Sequence, residues 1–397
     1  MQFAWNLIGI PVVLGIAAAC SVNRRRIDLK AVLLMLLLQV LITWFMLTTA
    51  VGGQAIQWVS SFFLWLIDCS MAGIGFVFGG MAPAKGFSFL ISVLLPIIFI
   101  VAFFDILTYF GILPLIINGL GWVLSAITRM PRFECFFATQ VMFLGNNEVL
   151  AITRDQLRDM DDRRLLTACM LGMSCISVGV LGGYMQLIDP TYVLIAIPLN
   201  AVGALLITSI INPYRVPKEE DAVHRSGRVE RRNFFDVITA SMLTGGRLVL
   251  IIAAALMGFI ALIACVNGIL SVFHKSASLE NLFGLLFSPF ALLMGVEVPQ
   301  LFTVARFMGE KLATNEFVAM GSLSPVLPTL SPHTEAVISS FLVSFCNFST
   351  VGIIIGSVKA LFDQEKTTMV ARHTWRLLVS GLLVSFLTAM VVGLFVW

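Results

Sequence analysis

Two short polar words stand out in an otherwise apolar chain: Asn147-Glu148 and Asn315-Glu316. A carboxylate beside an amide can accept hydroxyl hydrogen bonds, carry a proton, or serve as an acid or base. Sliding the sequence against itself by 168 positions aligns Pro131 with Pro299, Leu144 with Leu312, Asn147 with Asn315, Glu148 with Glu316 and Ala151 with Ala319. The Asn-Glu pair therefore recurs in register. A third polar group, Asn347-Phe348-Ser349-Thr350, sits in the middle of the apolar run 335 to 360, and Ser174-Cys175-Ile176-Ser177 is its counterpart in the run 164 to 186. Serine hydroxyls commonly pack helices together inside membranes. An amide at that depth is costly without a partner, which marks Asn347 as a ligand.

Other chemistries lack the residues they need. No nucleophile motif, histidine pair or metal-ligand spacing accompanies the carboxylates, which argues against an enzyme. The seven cysteines form no Cys-x-x-Cys pair and lie mostly inside apolar runs, so neither a disulfide framework nor a metal site is expected. His224, His274, His333 and His373 are far apart and read as surface residues. No cofactor is implied. Net charge is only +3, with the basic residues gathered in short loops, so no nucleic-acid-binding face is expected.

The elements that must position these residues are membrane helices. The chain has 397 residues, 59% hydrophobic and 12% charged, far from the usage of soluble domains. Apolar runs of the roughly 20 residues needed to cross ~30 Å of hydrocarbon recur throughout. Eight are readable, at 2 to 20, 31 to 50, 88 to 110, 164 to 186, 191 to 211, 242 to 268, 335 to 360 and 375 to 396. The first lacks the basic flank of a cleavable signal peptide and is expected to be retained as a helix. Three further stretches read as interfacial helices: 54 to 75, which carries Asp68, and 111 to 128 and 281 to 298, interrupted by Pro114 and Pro289. The stretches 131 to 163 and 299 to 330 are apolar but broken by polar residues near their middles, as in re-entrant hairpins. The fold class expected is an all-α polytopic membrane protein.

Basic residues then orient the chain. Placing Arg24, Arg25, Arg26 and Lys30 in the cytoplasm also places there Arg129, Arg132, Arg154, Arg158, Arg163 and Arg164. Arg215, Lys218, Arg225, Arg228, Arg231 and Arg232, and later Lys359, Lys366 and Arg372, follow on the same side. The turn 187 to 190, without a basic residue, falls outside. Both termini are expected outside.

Three spans, an odd number, separate the hairpins, so the second enters from the opposite side and the repeat is inverted. In secondary transporters this design brings half-helix ends together near the midplane to build a substrate site. A carboxylate at that depth costs at least ~2.5 to 3.5 kcal/mol, so Glu148 and Glu316 at hairpin tips are expected to be used. Ion pairing with Lys311 or Arg306 is the bland alternative. Paired polar tips suit alternating access better than a continuous pore.

The word Gly309-Glu310-Lys311 followed by Asn315-Glu316-Phe317, with Asn347-Phe348-Ser349 downstream, resembles the concentrative nucleoside transporter family. Ile211-Asn212-Pro213-Tyr214-Arg215-Val216 and Gly258-Phe259-Ile260-Ala261-Leu262-Ile263 are similar to its bacterial proton-coupled branch. The resemblance implies a homotrimer in a bacterial cytoplasmic membrane, each protomer with a scaffold and a moving transport domain. It divides the chain into scaffold and interfacial helices (1–130), a first transport repeat (131–211), a loop, scaffold span and interfacial helix (212–298), and a second repeat (299–397). It implies that Asn146, Asn147 and Glu148 bind the base and that Glu316, Asn347 and Thr350 hold ribose hydroxyls. Val180 and Phe345 would line the apolar part.

Two departures shape the functional expectation. The family's first tip reads Gly-Gln-Ser/Thr-Glu, whereas here it is Gly145-Asn146-Asn147-Glu148, which points to a base preference shifted from plain pyrimidine nucleosides. Sodium-coupled members carry an Asn and a Ser where this chain has Val141 and Cys175. Hard cations want oxygen ligands, so proton coupling is expected, with Glu148 or Glu316 as carrier. A sodium-coupled nucleoside carrier, or a carrier of modified nucleosides or free bases, is the alternative.

Overall fold

The computed structural model describes residues 2–79, 88–217, 221, 233–274 and 278–397. Lys218, Arg225, Arg228, Arg231, Arg232 and His224 lie outside the described residues. Among those described, the regular elements are all helical. The N-terminal part comprises α1 (Gln2–Ala19), α2 (Leu29–Thr48), α3 (Ala50–Phe78), α4 (Pro96–Tyr109) and α5 (Ile112–Thr128). Local chemistry sets their starts. Asp28 Oδ1 accepts from Lys30 N at 3.0 Å and Ala31 N at 3.2 Å to cap α2, and Pro96 occupies the first turn of α4.

The first repeat follows as α6 (Arg132–Leu144), α7 (Asn146–Ile152), α8 (Arg154–Asp159), α9 (Asp162–Ser174), α10 (Leu181–Met185) and α11 (Pro190–Ile211). Then come α12 (Phe234–Phe273) and α13 (Leu279–Leu293). The second repeat holds α14 (Val298–Ala313), α15 (Glu316–Leu323), α16 (Pro332–Leu342), α17 (Phe348–Leu361), α18 (Gln364–Arg372) and α19 (Thr374–Gly393). Helices α9, α11, α16 and α19 pack on one another and carry the densest burial. Outside that core, α4 lies along α12, where the stripe Ser241, Gly245, Val249 and Leu256 is buried. A Cβ on Gly245 would come within 2.8 Å of the Ile98 backbone, so the two helices touch main chain to main chain.

Eight described segments are long and apolar enough to cross a membrane, although their membership differs from the eight expected. The run 335 to 360 is not one continuous helix. It divides into α16 and α17, because the backbone from Val343 to Asn347 leaves the helix: the Phe341 carbonyl accepts from Lys311 Nζ at 2.6 Å, the Val343 carbonyl accepts from Asn200 Nδ2, and Asn347 starts a new helix as its cap. The run 164 to 186 breaks likewise at Cys175–Ser177 between α9 and a short 3₁₀ turn, Val178–Val180. The 168-residue offset relates Ser174, which ends α9, to Leu342, which ends α16, so the repeat extends past the hairpins.

At 54 to 75, α3 runs for 29 residues and has the length and composition of a crossing segment, Asp68 notwithstanding. Pro114 does not interrupt the stretch 111 to 128, since it falls in the first turn of α5, where a proline breaks no helical bond. Several basic residues used for orientation are also structural: Arg164 is buried on Glu134, Arg154 Nε donates to the Leu361 carbonyl at 2.9 Å, and Lys366 Nζ donates to the carbonyls of Leu157, Arg158 and Met160 at the end of α8. His333 is not at the surface. Only 1% exposed, its ring lies between the carbonyls of Val396, 2.8 Å from Nδ1, and Met294, 3.0 Å from Nε2.

Candidate functional site

Four helix starts converge on one cavity of about 350 Å³. They are Gly145 before α7, Ser177 before the 3₁₀ turn, Asn315 before α15 and Asn347 before α17. Helix N-termini carry unpaired N–H groups and the positive end of the helix dipole, which favours polar and anionic groups nearby. Each start is made by its own residue. Ser177 Oγ accepts from Gly179 N at 3.0 Å, Asn315 Oδ1 from Val318 N at 3.1 Å, and Asn347 Oδ1 from Thr350 N at 2.8 Å.

Gly145 works differently, through its backbone. Its φ is 98°, in the left-handed region, and an added Cβ would lie 2.9 Å from Glu148 Oε2 and 3.3 Å from Ser177 Cβ. The first hairpin thus turns on a single residue that must be glycine.

All eight residues expected at the site line this cavity: Asn146, Asn147, Glu148, Val180, Glu316, Phe345, Asn347 and Thr350. Their individual environments differ. Glu316, 4% exposed, has both oxygens engaged: Tyr184 Oη donates to Oε1 at 2.9 Å and Asn347 Nδ2 donates to Oε2 at 3.0 Å. Glu148 opens to the cavity. Asn146 is buried, with Nδ2 donating to the Gly172 carbonyl at 2.5 Å and Oδ1 unpartnered. A Cβ on Gly172 would meet that side chain at 2.9 Å, so glycine lets the hairpin tip seat against α9. Asn147 is exposed, and its Oδ1 accepts from Ser357 Oγ on α17 at 2.6 Å.

Among the described residues, neither carboxylate is in contact with a cation. Among the described residues the salt bridge recorded is Arg164–Glu134, at 2.7 Å, with Tyr214 Oη also donating to Glu134 Oε1 at 2.8 Å. Lys311 is fully buried and donates to Phe341 O at 2.6 Å, Ser344 Oγ at 2.7 Å and Ser385 Oγ at 3.2 Å, with the Phe341 ring 4.5 Å away. The lysine braces the break between α16 and α17 rather than bonding to Glu316.

Sequence reasoning missed three residues. Asp105 of α4 lines the cavity from outside both hairpins; a lone carboxylate within the apolar run 88 to 110 was the signal for it. Tyr184, which holds Glu316, gave no local signal, since only the tertiary fold brings residue 184 to residue 316. Ser177 was noted as a packing hydroxyl and is a cap facing the cavity.

Three adjoining family profiles match the chain. Residues 8–81 match the N-terminus of the Na+ dependent nucleoside transporter, residues 90–191 a nucleoside recognition (gate) domain, and residues 192–393 the transporter's C-terminus. The chain belongs to the nucleoside transporter family. It is 48% identical, over the full length of both chains, to the purine nucleoside transport protein NupG of Bacillus subtilis. It is 30% identical to the nucleoside permease NupC of Helicobacter pylori, covering 99% of this chain and 97% of that one. Among solved structures, CNTnw in an inward-facing substrate-bound state superposes with a TM-score of 0.93 at 27% identity, covering 100% of this chain and 98% of that one. A doubly substituted CNTnw in an outward-facing state scores 0.93 as well, covering 100% and 99%, so the fold likeness holds across states. This family member is a multi-pass nucleoside transporter, not an enzyme.

Proposed function

We propose that this chain is a nucleoside:proton symporter, importing nucleosides across a bacterial cytoplasmic membrane by alternating access, as a homotrimer with both termini outside. The observation that carries the reading is the cavity, where two hairpin tips and two helix breaks present carboxylates, amides and hydroxyls to one volume. A nucleoside supplies matching groups. Vicinal ribose hydroxyls donate to a carboxylate, and Glu316 with Asn347 and Thr350 forms that end. The base lies toward Asn147 and Glu148, flanked by Val180 and Phe345. Asn146 contributes mainly by fixing the tip, because its amide nitrogen is already committed to Gly172.

The likeness to a protein named for purine nucleoside transport supports a substrate range that includes purine nucleosides. Asn147 in place of a hydroxyl residue fits a base edge that amides read. Proton coupling is supported by Val141 and Cys175, both buried, neither lining the cavity, and neither offering a side-chain oxygen to a hard cation. The division into scaffold (1–130 and 212–298) and two transport repeats (131–211 and 299–397) belongs to the same reading. A sodium-coupled carrier is the second reading, favoured by the name of the matching family.

Reconstitution into liposomes tests both. Uptake of labelled adenosine, guanosine and uridine is measured under an imposed proton gradient and, separately, a sodium gradient. Accumulation driven by protons alone is expected, with purine nucleosides competing at least as well as uridine. Accumulation that follows sodium instead would select the second reading, and loss of nucleoside uptake under both gradients would point to modified nucleosides or free bases.

A further inference from the structure

The two hairpin carboxylates are not equivalent, and a third carboxylate explains how. Glu316 has a donor on each oxygen, the Tyr184 hydroxyl on one and the Asn347 amide on the other, and each oxygen keeps a lone pair for a substrate hydroxyl. Both contacts are donors to a carboxylate, and such hydrogen bonds are strongest when the acceptor is ionised. Glu148 is held otherwise. Among the described residues its carboxylate takes no side-chain hydrogen bond, and it opens to the cavity that Asp105 also lines. Asp105 enters the cavity from α4, which lies along α12.

Among the described residues, no cation lines the cavity beside this pair. None of the cavity-lining residues is Lys, Arg or His. Arg247 and Asp236 on α12, Asp68 on α3, Lys359 on α17, and Arg154, Asp155, Arg158 and Asp159 on α8 all lie outside the lining, and Glu134 of α6 is bound to Arg164. Two carboxylates that share one cavity without a counter-charge among its lining residues repel each other when both are ionised, and a proton on either relieves this.

Resting on the symport reading above, we propose that Glu148 carries the coupling proton, that Asp105 is its exchange partner, and that Glu316 stays ionised as the acceptor of substrate hydroxyls. The step is a proton transfer: the O–H bond on Glu148 breaks as one forms on Asp105 or on water entering the cavity, and no bond of the nucleoside changes. Asp105 lies outside both hairpins, so it would meet Glu148 only in some positions of the first tip. That dependence on position ties proton release to the transport cycle.

The test uses wild type, Asp105→Asn, Glu148→Gln and Glu316→Gln in liposomes. Three quantities are read: accumulation under a proton gradient, exchange of internal for external nucleoside without a gradient, and the pH profile of exchange. Asp105→Asn is expected to keep measurable exchange, flatten its pH profile between pH 5 and 8, and lower accumulation at least tenfold. Glu148→Gln, at a residue that also lies where the base binds, is expected to lose accumulation and weaken exchange, while Glu316→Gln loses exchange itself. An Asp105→Asn protein that accumulates nucleoside as wild type does, with an unshifted pH profile, would overturn the proposal. So would a Glu316→Gln protein that exchanges well but no longer accumulates. Wild type that ignores the proton gradient would instead overturn the symport reading, a result separable from the other two.

Discussion

Glu316 shows how much a buried carboxylate depends on its neighbours. Its Tyr184 contact can be removed almost alone, because Tyr184→Phe keeps the ring that lies 4.7 Å from Phe317. A hydrogen bond to a charged group is worth about 1.5 to 3 kcal/mol, and each 1.4 kcal/mol is tenfold in affinity. Tyr184→Phe is therefore expected to weaken nucleoside binding about ten- to a hundredfold with little loss of folded protein, as titration calorimetry on purified protein would show. Unchanged affinity would mean that the hydroxyl does not hold Glu316 for the substrate. The Glu316 word itself was legible in the sequence, since Asn-Glu recurs at a fixed offset in an apolar background. Tyr184 was not, because nothing near it in the chain predicts that its hydroxyl needs an acceptor 132 residues away.

At the scale of elements, the breaks in the two repeats are the working parts, and Asn347 makes one of them with both ends of its amide. Its oxygen caps α17 and its nitrogen binds Glu316. Asn347→Asp separates the two jobs: it keeps a capping oxygen and places a carboxylate against Glu316. Folded protein with a melting temperature near wild type and uptake reduced at least tenfold is the expected outcome. If uptake survives, the amide nitrogen is a structural partner only. The Glu134–Arg164 pair does the opposite, joining α6 to α9 with side chains 1% and 7% exposed. Removing one partner of a buried pair typically costs about 3 to 5 kcal/mol. Glu134→Ala is thus expected to lower the thermal unfolding temperature in detergent markedly while leaving the nucleoside affinity of the surviving folded protein unchanged. The sequence reading treated Arg164 as a loop charge, since hydropathy does not distinguish an arginine at a helix start from one buried beneath it.

For the whole molecule, α1, α2, α3 and α12 leave large apolar side chains exposed, as suits a chain whose surroundings are lipid. The forty residues of α12 would extend about 60 Å at 1.5 Å per residue, more than a bilayer's hydrocarbon thickness, so this helix must tilt or protrude. The proposed trimer predicts a detergent-corrected mass of three chains by light scattering, and a mass of one chain would remove that part of the reading.

The sequence by itself determined the class of molecule, the positions of most helices, and the polar residues that must sit at membrane depth. Those follow from composition and from the cost of burying polar groups in hydrocarbon, which leave a mark on every segment separately. Only the tertiary structure decided that 164 to 186 and 335 to 360 are broken helices. A helix break depends on partners for its freed carbonyls, such as Lys311 and Asn200 here, and these come from distant segments. The fold also decided which carboxylate holds a side-chain donor on each oxygen and which carries none, because hydrogen-bond partners are fixed by proximity in space and hydropathy carries no record of it.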